Sequence, residues 1–246
     1  MSFQLQSTKE TLFPALILAG GLATRLRPAT EKIPKSLIEI NGKAFVHHQL
    51  KLLFRQGIRK VIFCIGYLGE MIQQYVGDGS AYGLEVTYSF DGEVLLGTGG
   101  AIRHALPYLD DHFFVVYGDS YLDVNYANIQ QAYLDSQKEG LMTVFKNQGQ
   151  WDTSNVEFSN GKMIAYDKRN LTTRMHHIDF GLGIFSKKVF LQLPENTAID
   201  LATIYQNLLI NDQLAGFEVH NRFYEAGSFA GIKELGYYLS QSEYQE

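Results

Sequence analysis

Ala15-Leu16-Ile17-Leu18-Ala19-Gly20-Gly21-Leu22-Ala23-Thr24-Arg25-Leu26-Arg27-Pro28 begins as a strand and ends as a loop. The apolar run from Ala15 to Ala19 has the length and composition of a buried strand. It stops at two glycines, which free the backbone to turn tightly and to approach a ligand closely. Such a loop can aim its N–H groups at an anion. Arg25, Arg27 and, beyond Pro34, Lys35 add fixed positive charge, so the segment reads as a phosphate cradle with cationic clamps. No Gly-Lys-Ser/Thr closes the glycine run, which excludes a Walker A loop, and the third glycine of a dinucleotide fingerprint is absent. A strand followed by an ordinary turn accounts for the two glycines alone equally well.

Downstream, the apolar spacing alternates between the periods of helix and strand. Ser36 to Ile40 reads as a short strand ended by the turn pair Asn41-Gly42. Val46, Leu50, Leu53 and Phe54 mark an amphipathic helix stopping at Gly57, and Lys60 to Ile65 a buried strand. Leu68 to Tyr75 reads as a second helix, Leu84 to Phe90 as an alternating strand, and Asp91 to Ile102 as a glycine loop running into a helix. The apolar run His112 to Tyr117 ends in Gly118-Asp119-Ser120. This succession argues for a parallel sheet with helices on both faces. In such sheets ligands gather beyond the carboxyl ends of the strands, which is where Asp119 falls. A carboxylate there can hold Mg2+ in company with phosphates, although an N-cap or turn is the ordinary role of Gly-Asp-Ser.

From Gly140 the rhythm changes. Leu141 to Lys146, Asn155 to Ser159, Met163 to Tyr166 and Ile178 to Ser186 are strand-like pieces with little helix between them, predicting a small, mostly antiparallel lobe. Leu201, Ile204, Tyr205, Leu208 and Leu209 form a core helix stripe, Phe217 to Tyr224 a returning strand, and Ser228 the cap of a last helix. The expected organisation is an extension at 1–13, a nucleotide-binding core at 14–139, the lobe at 140–215 and a closing strand and helix at 216–246.

The totals narrow the function classes. With 246 residues the chain can bury a sizeable core, and a net charge of −5 gives no basic footprint for nucleic acid. Anionic substrates must therefore be held by local clamps. Cys64 is the only cysteine, which excludes a disulfide framework and fits a cytoplasmic setting; no window approaches a membrane span. Trp151, His47, His48, His176 and His177 read as packing or surface residues.

Gly20-Gly21-x-x-Thr24-Arg25-Leu26-x-Pro28 with Pro34-Lys35 closely resembles the signature of the sugar-1-phosphate nucleotidylyltransferases, with Ala23 where that family has a third glycine. Leu96-Gly97-Thr98-Gly99-Gly100-Ala101 is similar to the family's second nucleotide loop. The rival reading of Gly97-x-Gly99 as a nicotinamide dinucleotide motif meets Ile102 where Gly or Ala is wanted. Arg222-Phe223-Tyr224-Glu225-Ala226-Gly227 resembles the late motif that supplies a second metal ligand, with glutamate in place of aspartate. The likeness runs from Leu16 to about Leu239 and is strongest to short mannose- or heptose-1-phosphate guanylyltransferases and muramate-1-phosphate uridylyltransferases that carry no β-helix domain.

This resemblance implies a Rossmann-like α/β fold whose antiparallel lobe binds sugar. The implied reaction joins a nucleoside triphosphate and a sugar 1-phosphate into an NDP-sugar and pyrophosphate, supplying activated sugars of the kind built into cell-surface polysaccharide. GTP with a hexose or heptose 1-phosphate is the leading pair; uridylyl or thymidylyl transfer, and choline-phosphate cytidylyl transfer, are the alternatives. A nicotinamide oxidoreductase and a non-catalytic nucleotide sensor are the rival classes. Arg25, Lys35 and Asp119 are implied as catalytic residues. Leu18, Ala19, Gly20, Gly21, Thr24, Arg25, Lys35, Glu93, Gly97 and Thr98 would bind nucleotide, and Asn155, Asp167, Lys168, Asp179 and Gly181 the sugar phosphate. Asp119 and Glu225 would hold Mg2+. No nucleic-acid or membrane partner is implied, and the oligomeric state is left open, a homo-oligomer included.

Overall fold

The computed structural model describes residues 11–21, 26, 31–92, 95–147 and 149–242. Its first half comprises β1 (Ala15–Leu18), β2 (Glu39–Ile40), β3 (Lys43–Ala44), α1 (Phe45–Gln56), β4 (Lys60–Ile65), α2 (Gly69–Val76), β5 (Glu85–Phe90), α3 (Gly97–Ala105), β6 (His112–Tyr117), β7 (Ser120–Tyr121) and α4 (Tyr126–Ser136). The second half adds β8 (Gly140–Lys146), β9 (Val156–Ser159), β10 (Lys162–Tyr166), β11 (His177–Ser186), α5 (Lys188–Leu191), α6 (Leu201–Ile210), β12 (Leu214–Val219), β13 (Tyr224–Glu225) and α7 (Phe229–Ser242).

The central sheet has nine strands. β5, β4, β1 and β6 run parallel, as the apolar runs predict. β11 then pairs antiparallel with β6 on one side and β8 on the other, and β12 continues parallel to β8. The strands of 140–215 are thus bonded into the same sheet as those of the first half. The hairpin β9–β10 is attached at the start of β11 through His177 opposite Val156. Because β11 has hydrogen-bonding partners on both edges, it fuses the expected lobe to the core without a linker.

Period-2 alternation explains the helices on both faces. Ala15 and Ile17 of β1, with Val61, Phe63 and Ile65 of β4, face a core shared with Leu50 and Leu53 of α1, Ile72 of α2 and Ile129 of α4. Leu16, Ile62 and Cys64 point the other way, onto Ile102 of α3, Phe190 of α5 and Ile204 of α6. A third cluster, with Ile40, Phe45, Leu52, Tyr121, Leu235 and Leu239, seats α7 against α1 and the short strands. Ser228 caps α7 by accepting the Gly231 N–H at 3.0 Å.

Two sequence expectations shift locally. Lys35–Leu37 is a tight 3-10 turn, and only Glu39–Ile40 is strand. The returning strand starts at Leu214, three residues before the expected Phe217, and stops at Val219, leaving Tyr224–Glu225 to pair elsewhere. No helix among the described residues is long and apolar enough to cross a membrane.

Candidate active site

The carboxyl ends of β1, β4, β5 and β6 converge on one cavity. Ala19 N–H donates to Cys64 O at 2.8 Å, and Gly118 N–H to Leu18 O at 2.9 Å, so the glycine loop and the Gly118-Asp119 turn are tied edge to edge. The cavity, of about 290 Å3, is lined by Leu18, Ala19, Gly20, Gly21, Lys35, Gly97, Thr98 and Asp119, all expected there, and by Asp91 and Tyr117, which sequence reasoning missed. Thr24, Arg25, Arg27 and Glu93 lie outside the described residues.

The glycines of α3 serve packing. A Cβ on Gly100 would lie 2.3 Å from Thr197 O, and one on Gly99 2.7 Å from Ile204 Cδ1, so the start of α3 lies flush against the segment entering α6. Gly99 N–H donates to Ile199 O at 2.7 Å. Thr98 Oγ1 accepts the Leu201 N–H at 2.7 Å and pairs with Asp200 at 3.3 Å, which locks the two helix starts together. That packing accounts for glycine at both positions.

Asp91 follows β5 at the cavity wall. Its Oδ2 would be 3.3 Å from a Cβ on Gly20, which places the carboxylate over the glycine loop. Burial pushes its pKa up, and the Leu96 N–H that it accepts, together with His104, pulls the other way. In sequence it is one aspartate before a glycine, indistinguishable from a turn residue. The one available signal was its position directly after a strand whose carboxyl end belongs to the site.

Lys35 forms an ion pair with Asp119 Oδ2, both side chains being about four-fifths buried. Across from Asp119, β13 pairs antiparallel with β7, setting Glu225 opposite Ser120, and Ala226 N–H donates to Asp119 O at 2.8 Å. Glu225 Oε2 and Lys35 Nζ both flank Gly227, within 2.7 and 3.2 Å of the place where a Cβ would stand. Three segments, around Lys35, Asp119 and Glu225, therefore meet at Gly227, the last two more than a hundred residues apart in sequence.

A second cavity, of about 350 Å3, opens on the far side of Tyr117, which borders both. Asn155, Lys168, Asp179, Gly181 and Glu225 line it, together with Ser120, Asp152, Thr153 and Phe223. A register shift in β11 between Asp179 and Gly183 turns Asp179 and Gly181 toward this space. Gly181 takes φ +94° and donates its N–H to Asp179 Oδ1 at 3.0 Å. Burial raises the Asp179 pKa, opposed by the Lys168 charge, the Gly181 N–H and the Tyr166 hydroxyl. Asn155 Oδ1 accepts the Asp179 N–H at 3.1 Å and so braces the bulge.

Asp167, expected beside Lys168, is placed elsewhere. Its carboxylate accepts the backbone N–H groups of Arg169 and Asn170, at 2.7 and 3.0 Å, and the Asn170 amide at 2.9 Å. It borders a separate groove of about 1080 Å3 between β10 and α6 that holds none of the other expected site residues.

Residues 14–161 match the model of the nucleotidyl transferase family. The chain belongs to that family. Among curated relatives of this nucleotidyl transferase, a D-glycero-alpha-D-manno-heptose 1-phosphate guanylyltransferase of Aneurinibacillus thermoaerophilus is 31% identical over 178 residues, covering 72% of the chain and 76% of that protein. A UTP–glucose-1-phosphate uridylyltransferase of Synechocystis is 28% identical over 227 residues, covering 85% of the chain and 58% of that protein. The chain spans little more than half the length of the first curated relatives it matches. In fold it is similar to HddC from Yersinia pseudotuberculosis complexed with GMP-PN, with TM-score 0.77, 21% identity, and 93% of this chain and 100% of that one covered.

Among the described residues of this nucleotidyl transferase, no three His, Cys, Asp or Glu side chains gather into a metal-holding group. Asp119, in the turn before β7, and Glu225 on β13 are two carboxylates of the kind Mg2+ accepts, since it keeps several waters and is usually held by one or two carboxylates plus substrate phosphates.

Proposed function

We propose that this nucleotidyl transferase joins a nucleoside triphosphate to a sugar 1-phosphate, releasing pyrophosphate. The observation that carries the reading is the pair of cavities meeting at Tyr117, with Lys35, Asp119 and Glu225 beside their junction. A phosphate oxygen of the sugar 1-phosphate attacks the α-phosphorus, the α–β bridging P–O bond breaks, and its electron pair leaves with pyrophosphate. Little covalent chemistry is asked of the protein: two anions must be aligned and their repulsion relieved.

The nucleotide enters the cavity above Gly20-Gly21, and the acceptor takes the cavity with Lys168, whose charge offsets that of its phosphate. Lys35 is held by Asp119 beside the point of attack, preorganised to meet the charge that develops there. Arg25 is assigned to the leaving pyrophosphate. Bound at Asp119 and Glu225, Mg2+ would supply charge neutralisation shared by both phosphates.

Asp91 favours guanine as the base. The Watson–Crick edge of guanine presents two adjacent donors, N1–H and the 2-amino group, which match the two oxygens of a carboxylate. Uracil and thymine present one N–H between two carbonyl oxygens, which would set acceptor against acceptor at the Asp91 carboxylate. A panel of GTP, UTP, dTTP and CTP against mannose, heptose and glucose 1-phosphates, read by pyrophosphate release, tests the reading. GTP is expected to lead, and Asp91→Asn to lose at least about tenfold in kcat/KM for GTP, the size of one lost charge-assisted hydrogen bond. No pyrophosphate from any pair would refute the transfer itself.

The same substitution has an opposite effect on stability. A carboxyl whose folded pKa is raised contributes stability below the unfolded value of 3.8 and loses it as pH rises through the folded value. Asp91→Asn is therefore expected to raise the melting temperature at neutral pH, where the ionised side chain is a burden, and to change it little near pH 3. A calorimetric pH series reads this directly.

A further inference from the structure

Trp151 is the only tryptophan of the chain, and it is 44% exposed. The Arg222 guanidinium stacks over its ring, 3.6 Å from the centroid, and lies 5.0 Å from the centroid of Tyr224. Arg222 also pairs with Glu234 on α7, and Tyr224 stacks on Tyr238 of the same helix with centroids 4.3 Å apart. One cation therefore ties the turn before β9 to β13 and to α7.

Hydrogen bonds brace the residues around Trp151 from within. Asn147, nearly fully buried, accepts the Trp151 N–H at 3.0 Å and donates to Asp152 O and, at 3.1 Å, to Ser154 Oγ. Asn147 thus holds Trp151, Asp152 and Ser154 together from inside, while the Trp151 ring stays exposed. The next two residues, Asp152 and Thr153, line the acceptor cavity. Beyond Arg222, Phe223 and Glu225 line the same cavity. The stack thus joins two segments that each contribute to the acceptor cavity, and neither Trp151 nor Arg222 lines the nucleotide cavity.

We propose that the Trp151–Arg222 stack latches the acceptor cavity, making Trp151 and Arg222 positioning residues for the sugar 1-phosphate and not for the nucleotide. The inference rests on the two-cavity reading above. Asp152 and Thr153 offer an acceptor and a donor to sugar hydroxyls, and their reach depends on where the stack holds the turn. Loss of the stack lets that edge drift, so the acceptor binds less tightly while the chemistry near Lys35 is untouched.

Steady-state pyrophosphate release by the wild-type chain, Trp151→Ala, Trp151→Phe and Arg222→Met tests this. For Trp151→Ala and Arg222→Met the KM for the best sugar 1-phosphate is expected to rise about tenfold, the order of one partly desolvated cation–π contact, with the nucleotide KM and kcat within about twofold. Trp151→Phe, which keeps a ring under the guanidinium, is expected to recover most of the loss. An unchanged acceptor KM, or equal rises in both KM values, would overturn the proposal. Trp151 emission supplies a readout independent of turnover: Arg222→Met should shift it to longer wavelength and speed proteolysis between 147 and 154. Wild-type silence with every sugar 1-phosphate would refute the transfer reaction and the acceptor role together. Unaltered emission and proteolysis in Arg222→Met would refute the latch alone.

Discussion

Asp119→Asn is expected to keep the chain folded and to cut turnover a hundred- to a thousandfold, about 2.7 to 4 kcal/mol of transition-state stabilisation. The backbone around Asp119 does not depend on its charge. Ser36 Oγ donates to Gly118 O at 3.2 Å, Ala226 N–H donates to Asp119 O, and Gln49 donates to the carbonyls of Tyr117 and Ser120 at 3.0 and 2.9 Å. Asparagine fits the same space, so the change removes charge and leaves shape. What is lost is the anion that holds Lys35 in place and the proposed hold on Mg2+. Glu225→Gln should act in the same direction, with a higher Mg2+ concentration needed for half-maximal rate. Initial rates of pyrophosphate release across a Mg2+ series check both, and wild-type rates in Asp119→Asn would remove it from the chemistry.

Gly100→Ala is expected to cost substantial stability. Its new Cβ would stand 2.3 Å from Thr197 O, a backbone atom that cannot rotate away. Either α3 or the segment entering α6 must shift, and overpacking of that kind costs about 1 to 3 kcal/mol. In a chain of this size that lowers the melting temperature by roughly 2 to 4 °C per kcal/mol. The shift also moves Gly97 and Thr98 at the wall of the nucleotide cavity, so the KM for the nucleotide should rise with the loss of stability. Differential scanning calorimetry beside a kinetic titration separates the two effects. A melting temperature equal to wild type would mean that α3 and the 197–204 segment are not in tight contact.

How much of this was legible in the sequence depended on how each feature is encoded. β1, β4 and β6 announce themselves as apolar runs because both faces of a central parallel strand are buried, and Asp119 follows from its place at the end of such a run. Glu225 was reached by resemblance alone. The two-residue strands β7 and β13 that set it beside Asp119 are too short to show any periodicity. Lys168 and Asp167 are neighbours in sequence, yet Lys168 lines the cavity shared with Tyr117 and Asp179 while the Asp167 carboxylate closes its own turn with Asn170. Adjacency cannot tell those directions apart. The union of the 140–215 strands with the core was hidden for another reason: β11 pairs with strands on both sides, and pairing partners are not written in the hydrophobic pattern of one strand.

The proposed transfer requires one divalent ion shared by Asp119 and Glu225 when both substrates are present. The anomalous-scattering signal of Mn2+, in crystals grown with GTP and a non-reacting sugar 1-phosphate analogue, locates that ion directly. A peak is expected within about 2.3 Å of a carboxylate oxygen from each residue and in contact with both phosphates. A peak held by the triphosphate alone, with neither carboxylate in bonding distance, would contradict it.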